Sequence, residues 1–229
     1  MKLLAIETAT EACSVALSID GELRERFEIA PRRHGALVLP WADALLAEAG
    51  IAKSQLDAIA VGRGPGAFTG VRLAVAIAQG IALALDRPVV AVSTLAALAM
   101  RCDGESILAA IDARMGEIYR AAFTRDADGL VAPLGPEQLA RPDAPVLPDG
   151  CDWVGIGSGF SADDGALVKA LGDRLLRCDP TALPHAADVA HLAARAFANG
   201  EAVAPEHLEP AYLRNNVALT LAEQQAARR

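Results

Sequence analysis

The sequence predicts an α/β protein built from two related lobes, each with a mixed sheet and flanking helices. An apolar strand that ends in an acid, followed by a turn and a second strand that runs into Asp-Gly, occurs at the N-terminus and again near mid-chain. The two acids, Glu7 and Asp112, are 112 − 7 = 105 residues apart in a chain of 229. Strand-like and helix-like runs alternate between the two copies, as in α/β proteins. We therefore expect lobes over residues 1–104 and 105–229.

The first half of the chain predicts a hairpin followed by alternating helices and strands. Residues 1–21 form the hairpin, and residues 23–30 supply a third strand. A helix covers RRHGALVLPWADALLAEAG, in which Pro40 either lies in the first turn or makes a kink and Gly50 ends the helix. Strand 56–61, a glycine loop, helix 71–85 and strand 88–92 follow. A short helix over 95–101, capped by Ser93 or Thr94, completes this half.

The second half repeats the hairpin over residues 107–129 and is then less regular. Prolines interrupt residues 133–150, which predicts a loop that holds one short helix at most. Residues 152–160 read as a strand that runs into a second glycine turn. Helices are predicted over 162–171 and 187–200. The polar, alanine-rich tail after Asn216 is either a docking helix or a frayed end.

Composition and charge exclude several classes of protein. Apolar residues make up 53% of the chain and the net charge is −8, which argues for a large core and against a broad nucleic-acid surface. The most apolar segment, residues 73–85, is shorter than the ~20 residues of a membrane-spanning helix, and the N-terminus is not a signal peptide. We expect a cytoplasmic protein with no membrane contact and with reduced thiols at its four cysteines, Cys13, Cys102, Cys151 and Cys178.

The segment GRGPGAFTGVRL, residues 62–73, is the most informative part of the chain. Glycine permits close backbone approach, and the unpaired N–H groups of a helix N-terminus can hold an anion. The segment has neither the lysine of a P-loop nor GxGxxG spacing. It therefore serves either as a tight strand-to-helix connection or as a site for phosphate. The candidate binding residues of the second interpretation are Glu7, Thr8, Gly64 and Gly66.

No catalytic residue and no metal site is predicted. The four histidines, His34, His185, His191 and His207, show neither HxxxH nor HExxH spacing. Ser158 lies in GIGSG, which lacks the spacing of the nucleophile pattern GxSxG. Glu7 and Asp112 either form a facing carboxylate pair across a cleft between the lobes or cap their turns.

Two helices of the first half carry more apolar surface than a small lobe can easily cover. Helix 71–85 is apolar on nearly every side, and helix 36–49 has an apolar stripe. They either form a central core or bind another chain. The residues expected at such an interface are Leu37, Leu45, Val71, Val75, Ala76, Ile77, Gly80 and Leu83.

Five segments together resemble one protein family: LLAIETAT…CSVAL, RRHGALVLPWADALL, VGRGPGAFTGVRLAVAIAQGIALAL, PVVAVSTLAALA and EPAYLR. The chain resembles the TsaB (YeaZ) family of bacterial tRNA threonylcarbamoyladenosine biosynthesis proteins, most closely over its first 125 residues. The resemblance implies a duplicated actin-like/sugar-kinase-like (ASKHA) fold. It also implies a non-catalytic subunit of the complex that modifies N6 of adenosine 37 in tRNAs reading ANN codons.

The resemblance further implies partners and a lost catalytic centre. The catalytic subunit is the paralogue TsaD, the ATPase TsaE is a further partner, and pairing with TsaD or with itself as a homodimer uses the first two helices. Thr94 and Leu98 stand where TsaD carries a metal-binding HxxxH. Because residues 7–10 lack the phosphate-turn glycine, we expect no cofactor on the isolated chain. The resemblance implies ATP use by the complex and tRNA contact through the complex. The rival interpretations are an ATP-dependent small-molecule phosphotransferase of the sugar-kinase type and, with less support, a metallopeptidase.

Overall fold

The first half of the chain folds into a five-stranded mixed sheet. A computed structural model describes residues 1–144, 150 and 152–214, so Cys151 and the predicted tail lie outside the described residues. The strand order is β3-β2-β1-β4-β5. Strand β2 is antiparallel to β1 and β3, whereas β4 runs parallel to β1 and β5. The strands are β1 (Lys2–Glu7), β2 (Ala12–Ile19), β3 (Glu22–Ile29), β4 (Ala58–Gly62) and β5 (Val89–Val92). The predicted hairpin and third strand are confirmed.

The second half repeats this sheet with the same order and the same directions. Read from its other edge, the order is β8-β7-β6-β10-β11, with β9 paired to the free part of β7. Strand β7 is antiparallel to β6 and β8, and β10 is parallel to β6 and β11. The duplication predicted from the repeated hairpin is therefore confirmed. The strands are β6 (Ser106–Arg114), β7 (Glu117–Arg125), β8 (Val131–Pro133), β9 (Gln138–Ala140), β10 (Trp153–Ile156) and β11 (Leu175–Asp179).

Two helices cover one face of the first sheet. Helix α1 (His34–Ala49) and helix α2 (Phe68–Leu85) bury apolar side chains in one cluster with residues of β1, β2 and β4. Pro40 lies inside α1, beyond its first turn, and Gly50 ends the helix with a left-handed φ of 67°. Helix α2 begins three residues earlier than predicted. By length and composition alone, this 18-residue helix could cross a membrane. In the structure, 33% of its residues are buried inside the lobe.

The opposite face of the first sheet is covered by the last α-helix among the described residues. Helix α5 (Ala186–Ala198) buries Ala186, Val189, Ala190 and Ala193 against Leu3 and its neighbours in the sheet. Residues 201–214 then follow the first lobe, where Val203 forms a β-bridge with Val89 and Leu208 enters the core. The boundary at 104/105 thus separates the two sheets. It assigns α5 and residues 201–214 to the second lobe, although they pack on the first.

The remaining helices are short and serve the second sheet. Helix α3 (Thr94–Ala99) is capped by Ser93, whose hydroxyl accepts a hydrogen bond from the Ala96 N–H, and packs against β6 and β7. Helix α4 (Ala166–Leu171) is preceded by a 3-10 turn over 162–165, which replaces the first part of the predicted helix. In the proline-rich stretch, where one short helix at most is predicted, the described residues hold β9 and no helix.

Candidate functional site

A buried carboxylate organises the start of the glycine loop. Glu7, at the end of β1, is 1% exposed. Its carboxylate accepts hydrogen bonds from the Ala9 N–H at 2.6 Å and from the Thr94 hydroxyl at 2.9 Å. The Thr94 hydroxyl in turn accepts from the Gly64 N–H at 3.2 Å. A Cβ at Gly62 would lie 1.9 Å from the Glu7 carboxylate, so glycine is required at this point. This network joins β1, the glycine loop and α3.

The glycine loop also lies tightly against the residues that follow β1. A Cβ at Gly66 would lie 2.4 Å from the Ala9 carbonyl oxygen, and one at Gly70 would lie 2.0 Å from the Thr8 carbonyl oxygen. The Thr8 hydroxyl donates to the Gly70 carbonyl at 2.7 Å. These close approaches explain the glycines without any ligand. They favour the interpretation of the segment as a tight strand-to-helix connection.

Burial shifts the acidity of Glu7. Desolvation raises its pKa from 4.5 to about 7, against the lowering effect of hydrogen bonds from the Ala9 N–H, the Thr94 hydroxyl and the Thr8 N–H. Glu7 therefore exchanges its proton near neutral pH although it is sealed inside the lobe.

Asp112, the equivalent acid of the second lobe, is placed differently. It lines the cleft between the lobes, and its carboxylate binds the Arg114 guanidinium at 2.8 Å. Its own N–H donates to the Ser158 hydroxyl at 3.1 Å. Glu7 does not line that cleft. The predicted carboxylate pair across the cleft is therefore not formed, because burial turns Glu7 into the first lobe.

The cleft between the lobes has a volume of about 1090 Å³. One wall comes from the turn after β1, the start of α1 and the start of α2. The other wall comes from the β6–β7 turn and the glycine turn after β10. Residues 211–214 connect the two walls, since Ala211 and Tyr212 bond to the first lobe and Arg214 bonds to the second. Six lining residues carry full charges, four of them positive: Arg32, Arg72, Arg114 and Arg214, against Glu11 and Asp112. The cleft is thus cationic in a chain whose net charge is −8.

The four candidate phosphate-binding residues do not gather in this cleft. Gly66 lines it, whereas Glu7, Thr8 and Gly64 are buried in the internal network. Ligand binding by this set stays a prediction, and the structure favours the tight-connection interpretation beside it.

The positions that correspond to the paralogue's histidines lie inside the protein. Thr94 and Leu98 are both fully buried, and Leu98 belongs to the core of the second lobe. Neither side chain offers an imidazole nitrogen. Within residues 1–144, 150 and 152–214, no three His, Cys, Asp or Glu side chains are grouped so that they could hold a metal ion. Cys13 and Cys102 are buried free thiols, and Cys178 is a half-buried one.

The outer side of α1 and α2 leaves apolar groups exposed. Leu83 is 62% exposed and Leu39 is 49% exposed, and Ala76 and Gly80 lie on the exposed side of α2. A Cβ at Gly80 would have nothing within 4 Å. We call this surface the helical face: Leu39, Ala76, Gly80 and Leu83, with the half-buried Leu37 and Ile77 at its margin.

Three of the predicted interface residues do not belong to the helical face. Leu45 and Val75 are only 2% and 5% exposed and belong to the core of the lobe. Val71, also 5% exposed, lies beside Gly64 and lines the cleft. The expectation that they meet a partner needs this correction. Helix α2 is apolar nearly all round, so its sequence offers no contrast that separates the buried side from the exposed one.

Sequence reasoning also missed an aromatic cluster at the rim of the cleft. The Arg72 guanidinium lies 3.5 Å from the centroid of the Phe68 ring and 5.3 Å from that of Tyr212. Its Nε donates to the Tyr212 hydroxyl at 2.9 Å. The i, i+4 spacing of Phe68 and Arg72 is a usable signal on a helix. Tyr212, 140 residues further on, has none.

Comparison with known proteins agrees with this geometry. Residues 28–221 match the family model described as TsaD, tRNA N6-adenosine threonylcarbamoyltransferase. The tRNA threonylcarbamoyladenosine biosynthesis protein TsaB of Escherichia coli is 44% identical over 95% of this chain and 96% of its own length. The protein of the same name from Haemophilus influenzae is 36% identical over 95% of each chain.

A solved structure shows the same fold over nearly the whole chain. YeaZ from Pseudomonas aeruginosa superposes with a TM-score of 0.86 at 45% identity, covering 93% of this chain and 99% of its own. The repeated sheet, the internal glycine loop and these similarities lead to one assignment. The chain belongs to the TsaB (YeaZ) family.

Proposed function

We propose that this protein is a non-catalytic subunit in the biosynthesis of N6-threonylcarbamoyladenosine at position 37 of tRNAs that read ANN codons. Its relatives are named for tRNA threonylcarbamoyladenosine biosynthesis. In this proposal the chain binds a catalytic TsaD subunit through the helical face and supports the transfer that takes place there. The exposed apolar surface of α1 and α2 is the observation that carries the proposal.

The helical face has the properties of a protein-binding surface. Helices α1 and α2 pack into the same core on one side of the sheet, and the helical face takes exposed apolar groups from both helices. Ala76 and Gly80 would allow a partner helix to approach closely, and Leu39 and Leu83 would supply apolar area. Burial is worth ~25 cal/mol per Å² before the costs of association are subtracted.

The interior of the chain supports an accessory role. Thr94 and Leu98 stand in place of two histidines, and Thr94 is committed to Glu7 and Gly64. We propose that the isolated chain carries no cofactor and that ATP is used by the complex. The rival, a phosphotransferase of the sugar-kinase type, would need the acid after β1 to reach a nucleotide, and Glu7 is sealed away from the cleft.

Further partners follow from the same proposal. TsaE, an ATPase, would join the pair, tRNA would be met within the complex, and self-pairing through the helical face would give a homodimer when TsaD is absent. Such an assembly belongs in the cytoplasm.

Leu83→Glu tests the interface. A carboxylate in the centre of an apolar interface should weaken the pairing with TsaD by on the order of 30-fold or more. Leu176→Glu, on β11 of the second lobe, is the matched control, since Leu176 is 63% exposed and Leu83 is 62% exposed. Both variants should keep the wild-type circular dichroism spectrum. Size-exclusion chromatography of each variant mixed with purified TsaD gives the measurement.

Undiminished complex formation by Leu83→Glu would rule out the helical face as the binding surface.

Calorimetry of the isolated chain with Mg-ATP tests the rival separately. We expect no heat of binding, and tight binding would favour the phosphotransferase.

A further inference from the structure

We propose that the cleft between the lobes binds single-stranded RNA, with the anticodon loop of the tRNA substrate as its occupant. The inference rests on the proposed function, which makes a tRNA the substrate of the complex. It goes further, because it gives this chain an RNA contact of its own. The argument uses the charge of the cleft, the aromatic cluster at its rim and the way residues 211–214 hold that cluster in place.

The first wall of the cleft carries two arginines, Arg32 and Arg72, against one carboxylate, Glu11. Arg114 is paired with Asp112 and Arg214 with Glu117. Within the part of the chain that the structure describes, Arg32 and Arg72 have no carboxylate within ion-pair distance. A surface of this kind attracts phosphates, and two unpaired arginines fit a short strand better than a duplex.

The rim of the cleft presents aromatic rings beside one of these cations. Phe68 is 57% exposed and Tyr212 is 55% exposed, although the chain has only nine aromatic residues. Arg72 lies against both rings. Unstacked bases of RNA loops are held on aromatic rings and on guanidinium planes, while arginines neutralise the adjoining phosphates. The cluster thus offers both kinds of contact within one site.

The cluster is built into the fold from two distant parts of the chain. Phe68 and Arg72 stand on the first turns of α2, a helix anchored in the core. Tyr212 is held in place on either side, since the Ala211 N–H donates to the Arg63 carbonyl at 2.8 Å and Arg214 pairs with Glu117 across the cleft. A platform that is already ordered loses little conformational entropy when a base stacks on it.

The volume of the cleft favours an RNA loop over a mononucleotide. A volume of about 1090 Å³ lies at the upper end of the range for small-molecule pockets. The glycine loop, which would have to cradle phosphates of a nucleotide, is instead packed against Thr8 and Ala9. The two aromatic rings and the arginines Arg32 and Arg72 are all exposed residues of the lining.

The test measures RNA binding by fluorescence anisotropy. The probe is a labelled anticodon stem-loop RNA of a tRNA that reads an ANN codon, given to the isolated chain and to its mixture with TsaD. The variant Arg32→Glu/Arg72→Glu should weaken binding on the order of tenfold or more, and should lower the slope of log K against log salt by ~1.4, about 0.7 for each lost phosphate contact. The control variant Arg24→Glu/Arg177→Glu makes the same charge change on exposed arginines outside the cleft and should bind as the wild type does.

A second pair of variants isolates stacking from charge. Tyr212→Ala should weaken binding about fivefold or more, because a stacked base loses its ring, and Tyr212→Phe should restore it. A fully paired duplex of the same stem should compete poorly with the stem-loop.

Several results would overturn the inference. These are no binding of the stem-loop by the chain or the mixture, an equal loss in the control pair, or displacement of the RNA by ATP at the concentration expected for a nucleotide site. The two proposals fail in different ways. If the proposed function is wrong, the wild type does not pair with TsaD. If only this inference is wrong, the wild type still pairs with TsaD, and substitutions at Arg32, Arg72 and Tyr212 leave RNA binding unchanged.

Discussion

Between β4 and β5 the first lobe carries α2, a helix of 18 residues, whereas the equivalent interval between β10 and β11 holds the six-residue α4 and three 3-10 turns. Between β3 and β4 lies α1, with 16 residues; between β8 and β10 the described residues of the second lobe hold only β9. Five strands of the two sheets match one for one, and the second sheet adds β9. The difference between the lobes therefore lies in the helices that cover the two sheets.

This difference shows which helices the duplicated sheet requires and which helices it does not require. The second lobe forms the same five-stranded arrangement with one short helix, α4, between its parallel strands β10 and β11. A sheet of this topology therefore does not require long helices. In the first lobe the two long helices bury one side and leave Leu39 and Leu83 in solvent. In the proposed function a partner covers these exposed apolar groups.

The glycine turns are where the two lobes agree most closely. Each turn follows the central parallel strand, and the glycines correspond at a constant offset of 155 − 62 = 93 residues: Gly62, Gly64 and Gly66 in the first lobe, and Gly155, Gly157 and Gly159 in the second. In each lobe the third glycine approaches the first strand or the turn that follows it. A Cβ at Gly159 would lie 2.6 Å from the Ala110 side chain, as one at Gly66 would lie 2.4 Å from the Ala9 carbonyl.

If this correspondence is real, Gly66→Ala and Gly159→Ala should both be costly. The added methyl group meets backbone or packed atoms, so we expect each to lower the free energy of unfolding by about 3 kcal/mol. Gly135→Ala, where a Cβ would have nothing within 4 Å, is the control. Urea unfolding followed by circular dichroism measures all three. A large loss in one lobe and none in the other would break the comparison.

The acids at the ends of β1 and β6 distinguish the lobes by their burial. Because the pKa of Glu7 is about 7 in the folded chain and near 4.5 when exposed, the folded state binds more protons between these values. Its contribution to stability is complete below pH 4.5 and is lost as the pH rises through 7, by about 3 kcal/mol. Glu7→Gln should remove this fall. Urea titrations from pH 4.5 to 8 measure the free energy of unfolding of the wild type and of the variant. The same pH dependence in both proteins would contradict the buried state of Glu7.

The smallest expected effect concerns Gly80, which lies on a helix that the second lobe lacks. Gly80→Ala should raise the stability of the chain by roughly 0.5–1 kcal/mol, because alanine is the better helix former and the new methyl group meets no atom. The same methyl group would stand in the proposed contact with TsaD and should weaken pairing severalfold. Urea unfolding and titration of TsaD, made on one preparation, separate the two effects. Pairing that improves along with stability would place the interface elsewhere.

Much of the fold could be predicted because its signals are local. The two hairpins, the Gly50 helix end and the Ser93 cap each depend on a few neighbouring residues, and all are confirmed. The repeated hairpin gave the duplication. The position of α5 could not be predicted in this way, since nothing near residues 186–198 indicates that their alanines pack on a sheet formed by the first 92 residues.

The candidate site was predicted less well, for physical reasons that differ from residue to residue. The sequence places Val71 and Val75 at an interface because α2 is apolar on all sides. Only packing in the folded lobe decides which side of the helix faces inward. Glu7 was considered a cleft residue because strand ends often carry function, but the missing Cβ of Gly62 lets its carboxylate fold inward. The contact of Arg72 with Tyr212 exists only in three dimensions.

The return of α5 to the first sheet also sets an order of events during synthesis. One side of that sheet, including Leu3 and Ala60, is covered by side chains as late as Ala193. Domains that emerge first from the ribosome usually fold first. Here the N-terminal lobe cannot be completed until most of the chain has been translated, so nascent protein leaves an apolar sheet surface uncovered for most of its elongation, within reach of chaperones.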